Sequence, residues 1–343
     1  MIRIEHVLLS LLLFCFLFTG FDVHAQQVMT NALVTDIRFA SGNSALKIPF
    51  ELYNNHIYLQ VGVNGSKPLT LLFDTGAPHI IDSKQAKALG LKLKFLGHST
   101  TGVGEGLMDV YKSKGVSFNL PGVSLSGQQV GVMSLENVAA CASEIVIDER
   151  GHFRKCEPNE QCQRRVIDGV LGHDFFKRFV VEIDYEARLI NVYAPGNYKY
   201  QGTGESFPLE ITAQQIFVQA SLSPTGRAPL NGRFMIDTGG AHSLLLTKPF
   251  VEINKLRQSA QGWTKSSVCG LGGNSGVLIG TVSALQLGNI KINEPVTVLS
   301  QAQDGELANA DYAGNIGAGI LRHFKVIFDY SRSRMILESP AKG

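Results

Sequence analysis

Two aspartates in this chain sit in the same tripeptide, Asp74-Thr75-Gly76 and Asp237-Thr238-Gly239. Asp and Gly are ordinary turn residues, so one such tripeptide would say little. Two copies in matched surroundings describe a duplicated half-site with one carboxylate from each half. Two carboxylates held face to face can share a proton and act on water as acid and base. Each Asp follows an apolar run, Leu71-Leu72-Phe73 or Phe234-Met235-Ile236, which places it at a strand end rather than on a solvated face. Gly76 and Gly239 let a second backbone approach closely, as a two-fold contact between the turns requires.

The elements that must position these turns are themselves written twice. Pro49-Phe50-Glu51-Leu52 followed by Ile57-Tyr58-Leu59-Gln60 matches Pro208-Leu209-Glu210-Ile211 followed by Ile216-Phe217-Val218-Gln219, at an offset of 159. The Asp-Thr-Gly copies follow at 163. Gly169 to Gly172 matches Gly314 to Gly317, and Phe179 and Asp184-Tyr185 match Phe324 and Asp329-Tyr330, all at 145. Three anchors in one order identify an internal repeat. The step from 159 to 163 is a turn at Ser223-Pro224-Thr225-Gly226. The drop from 163 to 145 leaves 18 surplus residues in the first half. The stretch from Cys141 to Cys162, polar and without a counterpart, is read as that surplus: a surface excursion tied by disulfides.

Most local patterns are strands. Residues 57–63 break at Asn64-Gly65, a strong hairpin signal, and resume over 69–73. Residues 180–184 and 189–193 flank another turn, repeated at 326–329 and 335–337. Helices look short: one begins at Ser83 and runs over Lys84 to Leu89, stopped by Gly90, and its counterpart begins near Thr247 with Pro249 in its first turn. Short strands with Gly-rich turns predict a closed or sandwiched β architecture. A hinge between halves is expected near Pro195-Gly196 through Gly204.

With these residues in place, the chain resembles the aspartic proteases, and within them the retropepsin-like branch, over about residues 45 to 340. The resemblance rests on Phe73-Asp74-Thr75-Gly76-Ala77, Ile236-Asp237-Thr238-Gly239-Gly240, and the segments ending at Gly172 and Gly317. It implies an all-β fold of two homologous, closed barrel-like lobes with few short helices and the active site in the cleft between them. It implies Asp74 and Asp237 as the catalytic dyad, and Thr75, Gly76, Thr238 and Gly239 as the supporting turns, the threonines clasping each other. It also implies glycine-rich flaps over the substrate, at Gly102, Val103 and Gly104 in the first half and at Gly272 and Gly273 in the second. As phosphate cradles these loops lack the needed strand and helix context. Pepsin-like members carry Ser or Thr after Asp-Thr-Gly; here the positions are Ala77 and Gly240. Missing hydroxyls would raise the carboxyl pKa values.

Of 343 residues, 44% are hydrophobic and 17% charged, enough for two cores. A net charge of +2 gives no reason to expect nucleic acid. Arg3 precedes an apolar run from Val7 to Phe21, and Val23-His24-Ala25 offers a cleavage site before Gln26. The run is about 15 residues, short of the roughly 20 of a spanning helix. Residues 1–25 are therefore expected to be a signal peptide, with an uncleaved anchor as the alternative, and the protein exported to the periplasm or secreted. Lobes are expected at 26–198 and 199–343. Removing Cys15 with the leader leaves Cys141, Cys156, Cys162 and Cys269, an even number that favours disulfides in an exported chain. Three pairings are possible; Cys156–Cys162 is favoured.

His173-Asp174 is read as a surface pair, since its counterpart is Ala318-Gly319. His79 and His242, each five residues after its Asp, are read as structural hydrogen-bonding groups. No Gly-x-Ser-x-Gly and no His-Glu-x-x-His occurs. The expectation is an exported aspartic endopeptidase, monomeric with pseudo-two-fold symmetry, acting on peptide or protein and needing no metal or cofactor. Its alternative is a weak or inactive relative that binds peptide or glycan in the same cleft. A redox-active envelope protein is the third reading and would need reactive cysteines.

Overall fold

The computed structural model describes residues 37–99, 106–148, 153–157, 165–258 and 262–339. The fold is mostly β, with short helices, as expected. Among the described residues no helix is long and apolar enough to cross a membrane.

The large sheets follow the repeat. Strands between Ile37 and Leu171 form a nine-stranded sheet, and strands between Glu210 and Gly317 a ten-stranded one. A six-stranded sheet takes three strands from each half, in the order Glu205–Pro208, Arg334–Glu338, Lys325–Asp329, Val180–Asp184, Leu189–Tyr193, Ser44–Pro49. At its centre the two halves pair antiparallel, and Glu182 faces Ile327, its own counterpart in the repeat. Glu182 is buried there and accepts bonds from the Tyr198 hydroxyl (2.8 Å), the Tyr193 hydroxyl (3.0 Å) and Asn191 Nδ2 (3.1 Å). Such a buried carboxylate is tolerable only because its lone pairs are met.

Local chemistry explains the elements. Strands His56–Val63 and Leu69–Phe73 join through Asn64 and Gly65, both left-handed at φ 50° and 76°. Helix Ser83–Ala88 is capped by Asp82, whose carboxylate accepts from Lys84 N at 2.8 Å, so the cap lies one residue earlier than the sequence reading. Helix Lys248–Ile253 follows Thr247 with its proline in the first turn.

Each Gly-x-x-Gly stretch is a strand threaded between two others. Strand Gly169–Leu171 runs parallel to Leu69–Phe73 and antiparallel to Ile80–Asp82. Strand Gly314–Gly317 runs parallel to Leu230–Asp237 and antiparallel to Leu244–Leu246. The glycines are required by contact. A Cβ on Gly172 would stand 2.1 Å from Ala77 O, and one on Gly314 would stand 2.0 Å from Leu245 O. The threaded strand therefore touches the backbone that carries each Asp-Thr-Gly turn.

The surplus segment is more than a surface excursion. Helix Glu136–Glu144 leads into the paired strands Ile145–Ile147 and Phe153–Lys155. Val138 and Ala139 pack on the first half's cluster around Tyr58 and Met133, while Phe153 packs on the second half's cluster around Leu245 and Val298. Val138 and Ala139 just before the polar segment and Phe153 within it thus bridge the two halves. Cys162 and the side chains of Cys141 and Cys269 lie outside the described residues, so the pairing of Cys156 stays an expectation.

Candidate active site

The two Asp-Thr-Gly turns meet back to back. Thr75 and Thr238 are fully buried. Thr75 N donates to Thr238 Oγ1 and Thr238 N to Thr75 Oγ1, both at 3.0 Å. Each hydroxyl then donates across the contact, Thr75 Oγ1 to Ile236 O (2.8 Å) and Thr238 Oγ1 to Phe73 O (2.9 Å). Through these four bonds each buried hydroxyl both donates and accepts.

This clasp turns both carboxyls to one side, where they hydrogen-bond each other. Gly76 N donates to Asp74 Oδ1 at 2.7 Å and Gly239 N to Asp237 Oδ1 at 3.0 Å. Each turn's glycine also lies against the opposite Asp: a Cβ on Gly76 would be 3.0 Å from Asp237 Oδ1, and one on Gly239 would be 2.2 Å from Asp74 Cγ. Gly239 admits no side chain while the carboxyls stand together, and at Gly76 a side chain would press on the opposite carboxyl.

Burial raises both carboxyls above the usual range. For Asp74 the backbone N–H of Gly76 pulls the other way; for Asp237 the charge of Asp74 adds to burial and lifts it well above that range. Besides the other carboxyl, the donors reaching each Asp are backbone N–H groups. Tyr185 and Tyr330, counterparts in the repeat, keep their protons through burial and then through the charge of Asp237 and of Asp74, respectively.

The dyad lies at the floor of a cavity of about 300 Å³ walled by both halves. Leu72, Ile80 and Ile167 line it on one side and Met235, Leu245 and Val268 on the other, with Ile147 and Phe153 from the surplus segment. Gly272 and Gly273, at φ 81° and 96°, turn the hairpin of strands Thr264–Gly270 and Gly273–Thr281. Its tip touches the turn end of the first hairpin, where Gly106 N donates to Gly272 O at 2.8 Å. Gly102, Val103 and Gly104 lie outside the described residues. The carboxyls and turn glycines are thus brought together over the threonines, while the second hairpin meets the cavity through Gly270 and Leu271 and its tip packs on the first hairpin through Gly272 instead.

The equivalent histidines part company. His79 is buried against Phe118, rings 5.0 Å apart, and its Nδ1 accepts from Gly172 N at 3.0 Å, a structural bond as expected. His242 faces the cavity beside Gly240. His173 is buried under Tyr330 rather than on the surface, because the helix starting after Gly172 turns inward; only Asp174 reaches solvent, paired with Lys177. Sequence reading also passed over His56, Asn54, Gln214 and Gln215, which line the cavity. The repeat brackets them, since they precede Ile57 and Ile216 in both copies.

A family model described as aspartyl protease matches residues 59–175, the part of the first half that carries Asp74 and its threaded strand. No curated protein matches. Among solved structures the chain is similar to the aspartic proteinase from Irpex lacteus, with 13% identity and a TM-score of 0.50 over 87% of this chain and 98% of that chain. At that identity the likeness concerns the fold. The family match adds that residues 59–175 are similar to aspartyl proteases in sequence as well.

Proposed function

We propose that the protein is an exported aspartic endopeptidase that cleaves peptide bonds with Asp74 and Asp237 as its catalytic pair. The observation that carries this reading is the pair of hydrogen-bonded carboxyls above the threonine clasp, on the floor of a cavity lined by both halves. Two like charges so close cannot both be ionised cheaply, so the pair holds one proton. The ionised member takes a proton from a bound water as it attacks the peptide carbonyl carbon. The protonated member donates to the carbonyl oxygen, giving a neutral diol; as the C–N bond breaks, the proton taken from water passes to the leaving nitrogen and the other carboxylate takes a proton back from a diol hydroxyl. The carboxyls return to their starting state, and no covalent intermediate forms.

The substrate is an extended peptide whose apolar side chains fit the apolar walls. Two glycine-rich hairpins, one per half, support the retropepsin-like branch and act as flaps that part to admit the chain. A monomer with lobes at 26–198 and 199–343 suits the duplicated sheets. Export is supported by the leader-like residues 1–25 and the even cysteine number after their removal.

The test is cleavage of a diverse peptide pool from acidic to neutral pH by the wild type, Asp74→Asn and Asp237→Asn. Both variants should lose at least ~1,000-fold in kcat, as expected when one half of a coupled acid–base pair is removed. Wild-type cleavage by either variant would sink the assignment.

A further inference from the structure

The turn that carries Asp237 contains two consecutive glycines, Gly239 and Gly240, and so does little to hold its own shape. The first half supplies a support. Strands Glu51–Tyr53 and His56–Val63 are joined by Asn54 and Asn55, both left-handed at φ 46° and 65°, and this tight turn reaches across to the second half. Asn55 is buried, and its Nδ2 donates to Ala241 O at 2.8 Å. His56 Nε2 lies 3.0 Å from Gly239 O. A carbonyl can only accept, so Nε2 carries the proton. Burial holds the ring's pKa down to about 4, which keeps that one tautomer over the neutral range.

The bonded carbonyl belongs to the Gly239–Gly240 peptide, whose N–H closes the turn on the Asp237 main-chain O at 3.3 Å and also lies close enough to the Asp237 carboxyl to favour its ionised form. Hydrogen bonding at the oxygen of an amide polarises it and strengthens its N–H as a donor. We propose that His56 is a positioning residue for Asp237, acting through the Gly239–Gly240 peptide, with Asn55 as its neighbour in the same cross-half clamp. The clamp is one-sided. The counterpart of His56 is Gln215, whose Nε2 donates to Glu306 Oε1 at 2.6 Å and not to the Asp74 turn. That turn has Ala77 where the other has Gly240, and its backbone is more restricted on its own. The clamp therefore distinguishes two carboxyls that the clasp treats alike.

This inference rests on the proposed catalytic pair, and one set of variants separates the two. Each is assayed for kcat, KM, the pH profile of kcat/KM and thermal midpoint, beside Asp237→Asn. His56→Leu should lower kcat at least ~10-fold, the usual effect of losing an outer hydrogen-bonding partner, with KM nearly unchanged. Its alkaline limb should move, because Asp237 has lost a polarised donor. His56→Gln places a donor where Gln215 has one in the other half and should recover most of the loss. Asn55→Gly, which keeps the left-handed turn and removes the bond to Ala241 O, should lower kcat severalfold and carries the test should His56→Leu fold poorly. Wild-type kcat in His56→Leu, or in Asn55→Gly, would overturn the inference while leaving the pair standing. So would an equal fall in His56→Gln and His56→Leu, which would mean that the ring is needed for packing only. An active Asp237→Asn would overturn the pair itself, and the clamp's role with it.

Discussion

Gly240 directly follows the second Asp-Thr-Gly turn, and its surroundings show why a side chain is absent. A Cβ there would lie 2.5 Å from Cε1 of His242 and 2.7 Å from Oδ2 of Asp237. His242 is itself buried at the cavity edge and has no room to yield. Gly240→Ser is therefore expected to cost about 1–3 kcal/mol, as overpacking does, and to lower kcat. Gly240→Ser combined with His242→Ala should regain much of both. A faster Gly240→Ser enzyme in peptide cleavage would refute this account. Asp74 and Asp237 were legible in the sequence because a rare coincidence, a repeated tripeptide inside a longer repeat, marked them. The divergence of His79 from His242 was not legible. Both sit five residues after an Asp, and the direction of each ring is set by neighbours far away in the chain, Phe118 and Gly172 for one and Gly240 for the other.

Among the elements, the paired turns depend on the threonine hydroxyls for orientation as well as for stability. Thr75→Val keeps the volume but removes the acceptor of Thr238 N and the donor to Ile236 O. Each buried group left unpaired costs about 1–3 kcal/mol, so the urea midpoint should fall clearly for Thr75→Val and Thr238→Val alike. The double variant should cost less than the two together, because the hydroxyls share partners. Strict additivity would mean that the bonds act separately. The hairpin at Asn64-Gly65 and the threaded Gly-x-x-Gly strands could be read from residue type, since left-handed φ and close approach leave little choice but Gly or Asn. The surplus segment could not. Its polar composition hid Ile147 and Phe153, whose positions in the cavity wall depend on tertiary packing.

For the whole molecule, acidity poses a conflict. Burial lowers His56, His79, His173 and His242 to about 4, from an ordinary 6.5. A depressed basic group takes up its proton in the unfolded chain first, so stability is full above about pH 6.5 and falls between there and pH 4. Each such histidine removes about 1.4 kcal/mol per pH unit across that window. The dyad has the opposite sign: its raised carboxyls bind protons more tightly when folded and favour the fold as pH drops through their own values. Four groups outweigh two, against a total stability of about 5–15 kcal/mol. The thermal midpoint should therefore fall steadily from pH 6.5 to 4, and peptide cleavage should peak in mildly acid to neutral solution. A midpoint that rises over that range would contradict the buried histidines. The six-stranded sheet bears on a different matter, the freedom of the two halves to change. Its central pairing, with Glu182 opposite Ile327, has the geometry of an association between two identical subunits. Identical subunits must carry every substitution twice. Here one polypeptide supplies both sides, and the connection near Pro195 keeps them at high effective concentration. A histidine can thus face a glutamine, a buried carboxylate an isoleucine, and a roof segment can grow on one side alone, so the two aspartates are free to become unequal partners.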